Sequence, residues 1–287
     1  MAAEESLREG RIGDALDELK DQVRKDPADP KLRTFLFQLL AVTGDWERAL
    51  NQLKVVGEMD AAALPMLQTY QEAIQCEALR KKVFAGETSP LVFGEPEEWI
   101  ALLFESLKLV AGGRLEDAAE LRNQAFEGAP TTSGKIDDQA FEWIADADPR
   151  MGPAIEAVVN GRYYWVPFHR IREIHLEEPA DLRDFVWAPA QFVWANGGQT
   201  VGFIPTRYPG SESSEDDLIR LSRKTEWVDA GGETWLGSGQ RLFATDAGEF
   251  PLLDARKITL DVADLSAEDI VAELTADAQA ESEPLDG

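Results

Sequence analysis

The sequence predicts an α+β protein: an N-terminal α-helical repeat lobe followed by a smaller, mainly antiparallel β-rich lobe. Three observations carry this expectation. The first half repeats a helical phrase, 34 residues apart from Gly10 to Gly44 and again, two periods plus one residue later, at Gly113. After Arg162 the chain breaks into short aromatic and β-branched runs bounded by Gly, Asn, Asp and Pro. Between the halves lies a seam, residues 144–168. It holds a D-x-D-P-R-M-G-P turn, an apolar run at 155–159 that reads as a short helix, and an aromatic run at 163–168. The expected lobes are 1–135 and 136–262, with an acidic, mobile tail at 263–287.

A chain of 287 residues with 44% hydrophobic content, eight Trp and thirteen Phe can bury a sizeable core. Its 28 basic and 54 acidic residues give a net charge of −26. That field repels a phosphate backbone and an anionic bilayer, so nucleic acid and membrane are not expected partners. It favours a partner with a basic or amphipathic element, or serves solubility alone. Cys76 is the lone cysteine, which rules out an internal disulfide and suits a reducing compartment. The start, MAAEESLREG, carries acids where a signal peptide needs bases and an apolar core, and no apolar run approaches membrane-spanning length. The expected location is cytoplasmic.

The phrase GRIGDALDEL from Gly10 recurs as GDWERALNQL from Gly44, and GRLEDAAEL follows from Gly113. Gly10, Gly44 and Gly113 align, as do Ala15, Ala49 and Ala118. Leu19 and Leu53 correspond to Arg122. The pattern resembles the tetratricopeptide repeat. Glycine supplies a left-handed turn between helices, and alanine lets two backbones approach. Pro27 and Pro130 stop the second helix of a pair. Leu32, Phe35, Leu36, Leu39 and Leu40 form one helical stripe; Trp99, Leu102, Leu103, Leu107 and Val110 form another, opened by Pro96 and two glutamates. One long helix is expected over 65–84, with Leu67, Tyr70 and Ile74 facing the stack. A repeat near residue 78 is not legible. Such a stack has a concave face suited to a peptide or a helix, although the stripes read first as core.

Strands are expected at 163–168, 171–176, 185–194, 200–206, 226–230, 235–244 and 257–262. Hairpin signals stand at Asn196-Gly197-Gly198 and Gly231-Gly232. No catalytic set emerges. His169 and His175 are the only histidines and Cys76 is distant, which is poor material for a metal site or a Cys/His dyad. Asp181, Arg183 and Asp184 read as a turn and helix start. Gly237-Ser238-Gly239-Gln240-Arg241 lacks the Lys-Ser/Thr and the βα context of a phosphate loop and reads as a strand-edge turn. No G-x-S-x-G or H-E-x-x-H occurs. No catalytic residue, metal or cofactor is expected. Residues 210–218 form an acidic surface loop leading into a short helix. From Asp261 to Gly287 there are nine acids and no base, and a short helix capped by Ser266 is expected over 265–270.

The ordered phrases WIADADPRMGPAIEAVVNGRYYWVPF, LRDFVWAPA, GFIPTRYPGSE, W-x-D, GSGQR and DARKI resemble the ImpE family, also called TagJ or SciE-type, of type VI secretion accessory proteins. The resemblance spans nearly the whole chain. It implies a non-enzymatic adaptor that binds the N-terminal helix of the small sheath subunit, TssB, and is associated with the recycling ATPase ClpV. Recognition would be helix-in-groove. The family phrases cover Arg150, Tyr163, Phe168, Trp187, Arg207 and Tyr208, which are assigned to partner contact because aromatic and Arg side chains dominate hot spots. A structural role competes for each: Trp165 and Trp187 also read as core, and Asp148–Arg150 and Arg183–Asp184 as internal ion pairs. Two other readings stay open: a small-molecule enzyme using a polar pocket in the β-rich lobe, with the helices regulatory, and a general TPR scaffold.

Overall fold

The structure is a computed structural model that describes residues 2–95 and 97–263. Pro96, the helix expected at 265–270 with its Ser266 cap, and nearly all of the tail expected at 263–287 lie outside the described residues.

The helical half opens with two antiparallel pairs, α1 (Ala2–Arg8) with α2 (Ile12–Lys25) and α3 (Pro30–Val42) with α4 (Trp46–Met59). The long α5 (Leu64–Phe84) follows a 3-10 turn at Ala61–Ala63, and α6 (Glu98–Ala111) pairs with α7 (Leu115–Gly128). The repeat glycines Gly10, Gly44 and Gly113 all sit at positive φ, at 77°, 70° and 74°, where a Cβ is strained. Ala15, Ala49 and Ala118 have no exposed surface, and Ser106 Oγ donates to the Ala118 carbonyl at 2.7 Å across the α6/α7 contact. Asp29 caps α3 by accepting from the Lys31 and Leu32 amides, with Pro30 at the first helical position. The repeat not legible near residue 78 falls within α5. That helix buries Tyr70, Ala73, Ile74, Cys76, Arg80 and Val83 and packs against the sheet.

The second half builds a nine-stranded sheet. Its strands are β1 (Leu91–Val92), β2 (Gly134–Ile136), β3 (Gln139–Phe141), β5 (Ala154–Val159), β6 (Arg162–Pro167), β7 (Ile171–Leu176), β8 (Trp187–Trp194), β9 (Gln199–Pro205) and β14 (Lys257–Leu260). The order is β1-β6-β5-β9-β8-β7-β14-β2-β3, antiparallel except for β1 beside β6. A three-stranded sheet joins β4 (Ile144–Asp146), β12 (Leu242–Thr245) and β13 (Gly248–Pro251). A two-stranded ribbon joins β10 (Thr225–Gly231) and β11 (Thr234–Gly239). The fold is α+β, with a TPR-like helical lobe followed by a mainly antiparallel β-rich lobe. Helix gives way to strand between Gly128 and Gly134, so β2 begins just inside the expected 1–135 span, and β1 lends a strand from within the helical half.

Residues 155–159 are not a helix but part of β5, and all six residues of β5 are buried. Ile155, Ala157 and Val159 enter the core of the sheet. Ala154 and Val158 enter a second core with α5, α6 and α7. A strand covered on both faces loses its alternation and reads as a continuous apolar run, which at this length periodicity cannot separate from a helix. The overlooked signal is Asn160-Gly161, whose positive φ values of 49° and 72° turn β5 into β6.

The strand expected at 235–244 divides at Gly239, where φ is +92° and a Cβ would stand 1.9 Å from the Lys224 carbonyl oxygen. The first residues of the expected 185–194 strand close a 3-10 turn, Leu182–Phe185, and the strand begins at Trp187. Both hairpin signals, at 196–198 and 231–232, fall between paired strands. The 210–218 segment leads to a short α8 (Asp217–Arg220), although Ser211 within it is fully buried. Two of the three cores join the lobes: Trp187, Val186 and Leu221 pack with α1–α5, while Tyr163 and Trp165 pack with α5–α7.

Candidate functional site

The seam between α5 and the β-rich lobe is organised by a charge, Glu156, set in the middle of the apolar run AIEAVV. β5 carries it to the face that meets α5, where it has no exposed surface. Arg80 of α5 grips both of its oxygens, Nε at 2.6 Å and Nη2 at 2.8 Å. Arg241 pairs with it and with Asp146, and Tyr163 donates its hydroxyl to it. Trp165 Nε1 donates to the Tyr163 oxygen at 2.8 Å. Burial works against the Glu156 carboxylate, but Arg80 and Arg241 overcome it and hold the pKa at about 2. Asp146 shows the opposite balance: burial pushes it up to about 6 despite Arg241. Burial also raises Glu77, against Arg80 and Arg207.

Five of the six residues expected at a partner contact are buried, and the sixth, Arg150, is half-buried at the edge of a cleft. Tyr163 is a member of the network above. Phe168 is 1% exposed and meets Phe243 edge to face at 6.2 Å. Arg207 donates to the carbonyls of Val42 at 2.7 Å and Arg220 at 2.6 Å, so one guanidinium caps the C-termini of both α3 and α8. Tyr208 lies under the Arg241 guanidinium at 5.3 Å and accepts from the Leu242 amide at 3.0 Å; Gly237 is required beside it, because a Cβ there would come within 2.4 Å of the ring. Arg150 holds Asp148 through Nε at 2.9 Å and Nη2 at 2.5 Å and lies over the Phe84 ring. Trp187 donates to Glu77 at 3.0 Å and packs on Trp46 and Tyr70. Apart from Arg150, these side chains are engaged in internal contacts. The residue types that dominate hot spots also satisfy buried networks, and sequence does not separate the two.

The expected Asp148–Arg150 pair forms. Arg183 pairs instead with Asp181 at 2.5 Å, while Asp184 accepts the Ala180 and Asp181 amides and closes a capping box. Where the repeat has leucine, Arg122 reaches into the β-rich lobe and donates to Thr234 Oγ1 at 2.9 Å and the Glu233 carbonyl at 3.1 Å. Cys76 is buried, and burial pushes its thiol up to about 12, away from the reactive range. His169 meets Glu97 and His175 meets Glu173. Among the described residues no group of three or more His, Cys, Asp or Glu could hold a metal ion. Glu156, Arg80 and Asp146 were not anticipated as a unit. The available signal was a lone acid inside a buried apolar run, since such a charge must find a partner.

One open cleft, about 350 Å³, lies against the network itself and is lined by Glu77, Arg80, Phe84 and Arg150. A wider one, about 860 Å³, runs along the helical lobe from α1 across α3 to the start of α5, and the 3-10 turn of the β-rich lobe forms its far wall. A cleft of about 400 Å³ separates α5 from the exposed end of the sheet near Val201, and one of about 360 Å³ lies beside Phe126 and Trp143.

Stacked helix pairs with left-handed glycine turns, locked to a β-rich lobe by structural charges, define a tetratricopeptide-type repeat protein with an appended sheet. Residues 6–74 match the tetratricopeptide repeat profile and residues 138–259 that of the ImpE protein family. A Pseudomonas aeruginosa protein described as Type VI secretion system accessory component TagJ is 54% identical over 264 residues, 92% of each chain. A crystal structure of a Vibrio parahaemolyticus protein superposes with a TM-score of 0.83 at 27% identity, covering 91% of this chain and 98% of that one. The chain belongs to the ImpE/TagJ family of type VI secretion accessory proteins. No helix among the described residues is long and apolar enough to cross a membrane.

Proposed function

We propose that this protein is a non-enzymatic, cytoplasmic adaptor of the type VI secretion system. In this reading it binds the N-terminal helix of the small sheath subunit, TssB, and links the sheath to the ClpV recycling ATPase. The observation that carries the reading is the 54% identity to a type VI accessory component across 92% of both chains, spanning the helical and β-rich lobes alike. Three physical features support it. The helical lobe offers a concave surface of the kind that receives a peptide or helix. The net charge of −26 favours a partner with basic flanks. The ionisable groups at the seam are engaged with one another as a structural network.

Calorimetric titration of the full chain with a synthetic TssB N-terminal helix tests the reading. Binding at micromolar concentration or tighter is expected, about −8 kcal/mol or better. No heat and no displacement of the peptide would refute it. Co-purification with the ATPase, with and without the sheath subunit, distinguishes a bridge from a sheath-only contact.

A further inference from the structure

We propose that the cleft beside the buried network binds a small zwitterion, a molecule of dipeptide size or less that carries an ammonium and a carboxylate on an apolar body. This site goes beyond the adaptor reading and does not depend on it. The cleft, about 350 Å³, opens where α4, α5 and two loops of the β-rich lobe meet. Those loops hold the phrases DPRMGP and RYPGSE, residues 148–153 and 207–212, and they give Arg150 and Glu212 to the lining. Trp46 and Phe84 add two aromatic rings. The volume stands at the lower end of the roughly 300–1,000 Å³ typical of small-molecule sites, which sets the size of the occupant.

The charges on the walls select the ligand. Arg80 and Arg150 are already matched from behind, by Glu156 and Asp148. Glu77 is less well served. Arg80 Nη1 stands 3.5 Å from it and Arg207 lies near, yet burial still raises its carboxyl. Lys81 and Glu212 also line the cleft, and neither forms an ion pair or a side-chain hydrogen bond with any described residue. The lining thus carries charges of both signs that do not meet each other.

An inorganic anion placed there would meet Glu77 and Glu212. A bare cation would meet Lys81 beside two guanidinium groups. A zwitterion answers both signs: its ammonium donates to the Glu212 carboxylate, its carboxylate accepts from the Lys81 ammonium, and its body lies against the Trp46 and Phe84 rings. Lys81 belongs to α5 and Glu212 to the β-rich lobe, so the occupant spans the seam between the lobes. A ligand that requires the joined lobes stabilises them by mass action, which makes the melting temperature a readout of occupancy.

The test titrates the full chain with L-phenylalanine and with glycyl-phenylalanine, by calorimetry and by thermal shift. At least one of them should bind with a Kd of about 1 mM or tighter. Which one binds better distinguishes a free amino acid from a peptide. Capping the amine of the better ligand by acetylation, or its carboxylate as the amide, should each weaken binding about tenfold. Two variants then assign the charges. Glu212→Gln should erase the discrimination against the acetylated form alone, and Lys81→Met the discrimination against the amide alone. Lys82→Met removes a neighbouring exposed charge off the lining and should change neither. Because neither Lys81 nor Glu212 has a partner in the protein, both variants should melt like the native chain when no ligand is present. No binding of either probe at about 10 mM, equal binding of the capped forms, or a discrimination that survives both variants would overturn the assignment.

Discussion

Glu156→Gln removes one charge from the seam and keeps the volume of the side chain. In the native chain this carboxylate receives Arg80 at 2.6 and 2.8 Å, and also Arg241 and the Tyr163 hydroxyl, with no solvent access. The glutamine offers one acceptor oxygen and an amide group that points donors at guanidinium donors. Arg241 keeps Asp146, but Arg80 is left with Glu77 at 3.5 Å and the Arg207 carbonyl. Leaving a buried charge without its partner costs roughly 3–5 kcal/mol, a large share of the 5–15 kcal/mol typical of a folded protein. In urea, followed by circular dichroism, the midpoint should fall by about 1 M or more for a slope near 3 kcal/mol/M. Adding Arg80→Met should cost less than the sum of the single changes, with a coupling of about 1 kcal/mol or more. The acid limb gives an independent check. Glu156 is held at about 2 against 4.5 for the unperturbed group, so its contribution is full above pH 4.5 and is lost as pH falls towards 2. The variant should therefore lose less stability than the native protein between pH 4.5 and 3. A midpoint shift below about 0.3 M, together with an unchanged acid limb, would refute the description of Glu156 as the charged centre of the seam.

Arg207→Met should cost about 2–4 kcal/mol, because it strips charge-assisted bonds from the ends of α3 and α8, and Arg207→Lys should not restore them. Hydrogen exchange should accelerate at residues 38–45 and 217–223; unchanged protection there would contradict the capping role. Gly44→Ala should destabilise more than Gly113→Ala. Both φ values are positive, worth roughly 1–2 kcal/mol each, but a Cβ at Gly44 also meets the Glu212 Cγ at 2.5 Å, whereas Gly113 has open space around it. Thermal melts of the two variants check the order, and equal losses would show that the Glu212 chain yields freely.

The sequence by itself determined the helical repeat and the class of the second half. Gly10, Gly44 and Gly113 announce left-handed turns and Ala15, Ala49 and Ala118 close contacts, because these are local demands that few residue types meet. Its ordered phrases likewise pointed to the ImpE/TagJ family. The hairpins at Asn196–Gly198 and Gly231-Gly232 were legible for the same local reason. Only the tertiary structure decided that 155–159 is a strand, since burial on both faces erases the period that distinguishes strand from helix. Only it could turn Tyr163, Arg207, Tyr208 and Trp187 inward, because a hot spot and a buried network draw on the same side chains and differ only in what covers them. Arg80 and Glu156 lie 76 positions apart in the chain and meet at 2.6 Å. Nothing local in either segment encodes that meeting; it follows from docking α5 on the sheet, where two buried charges must find each other or remain unpaired.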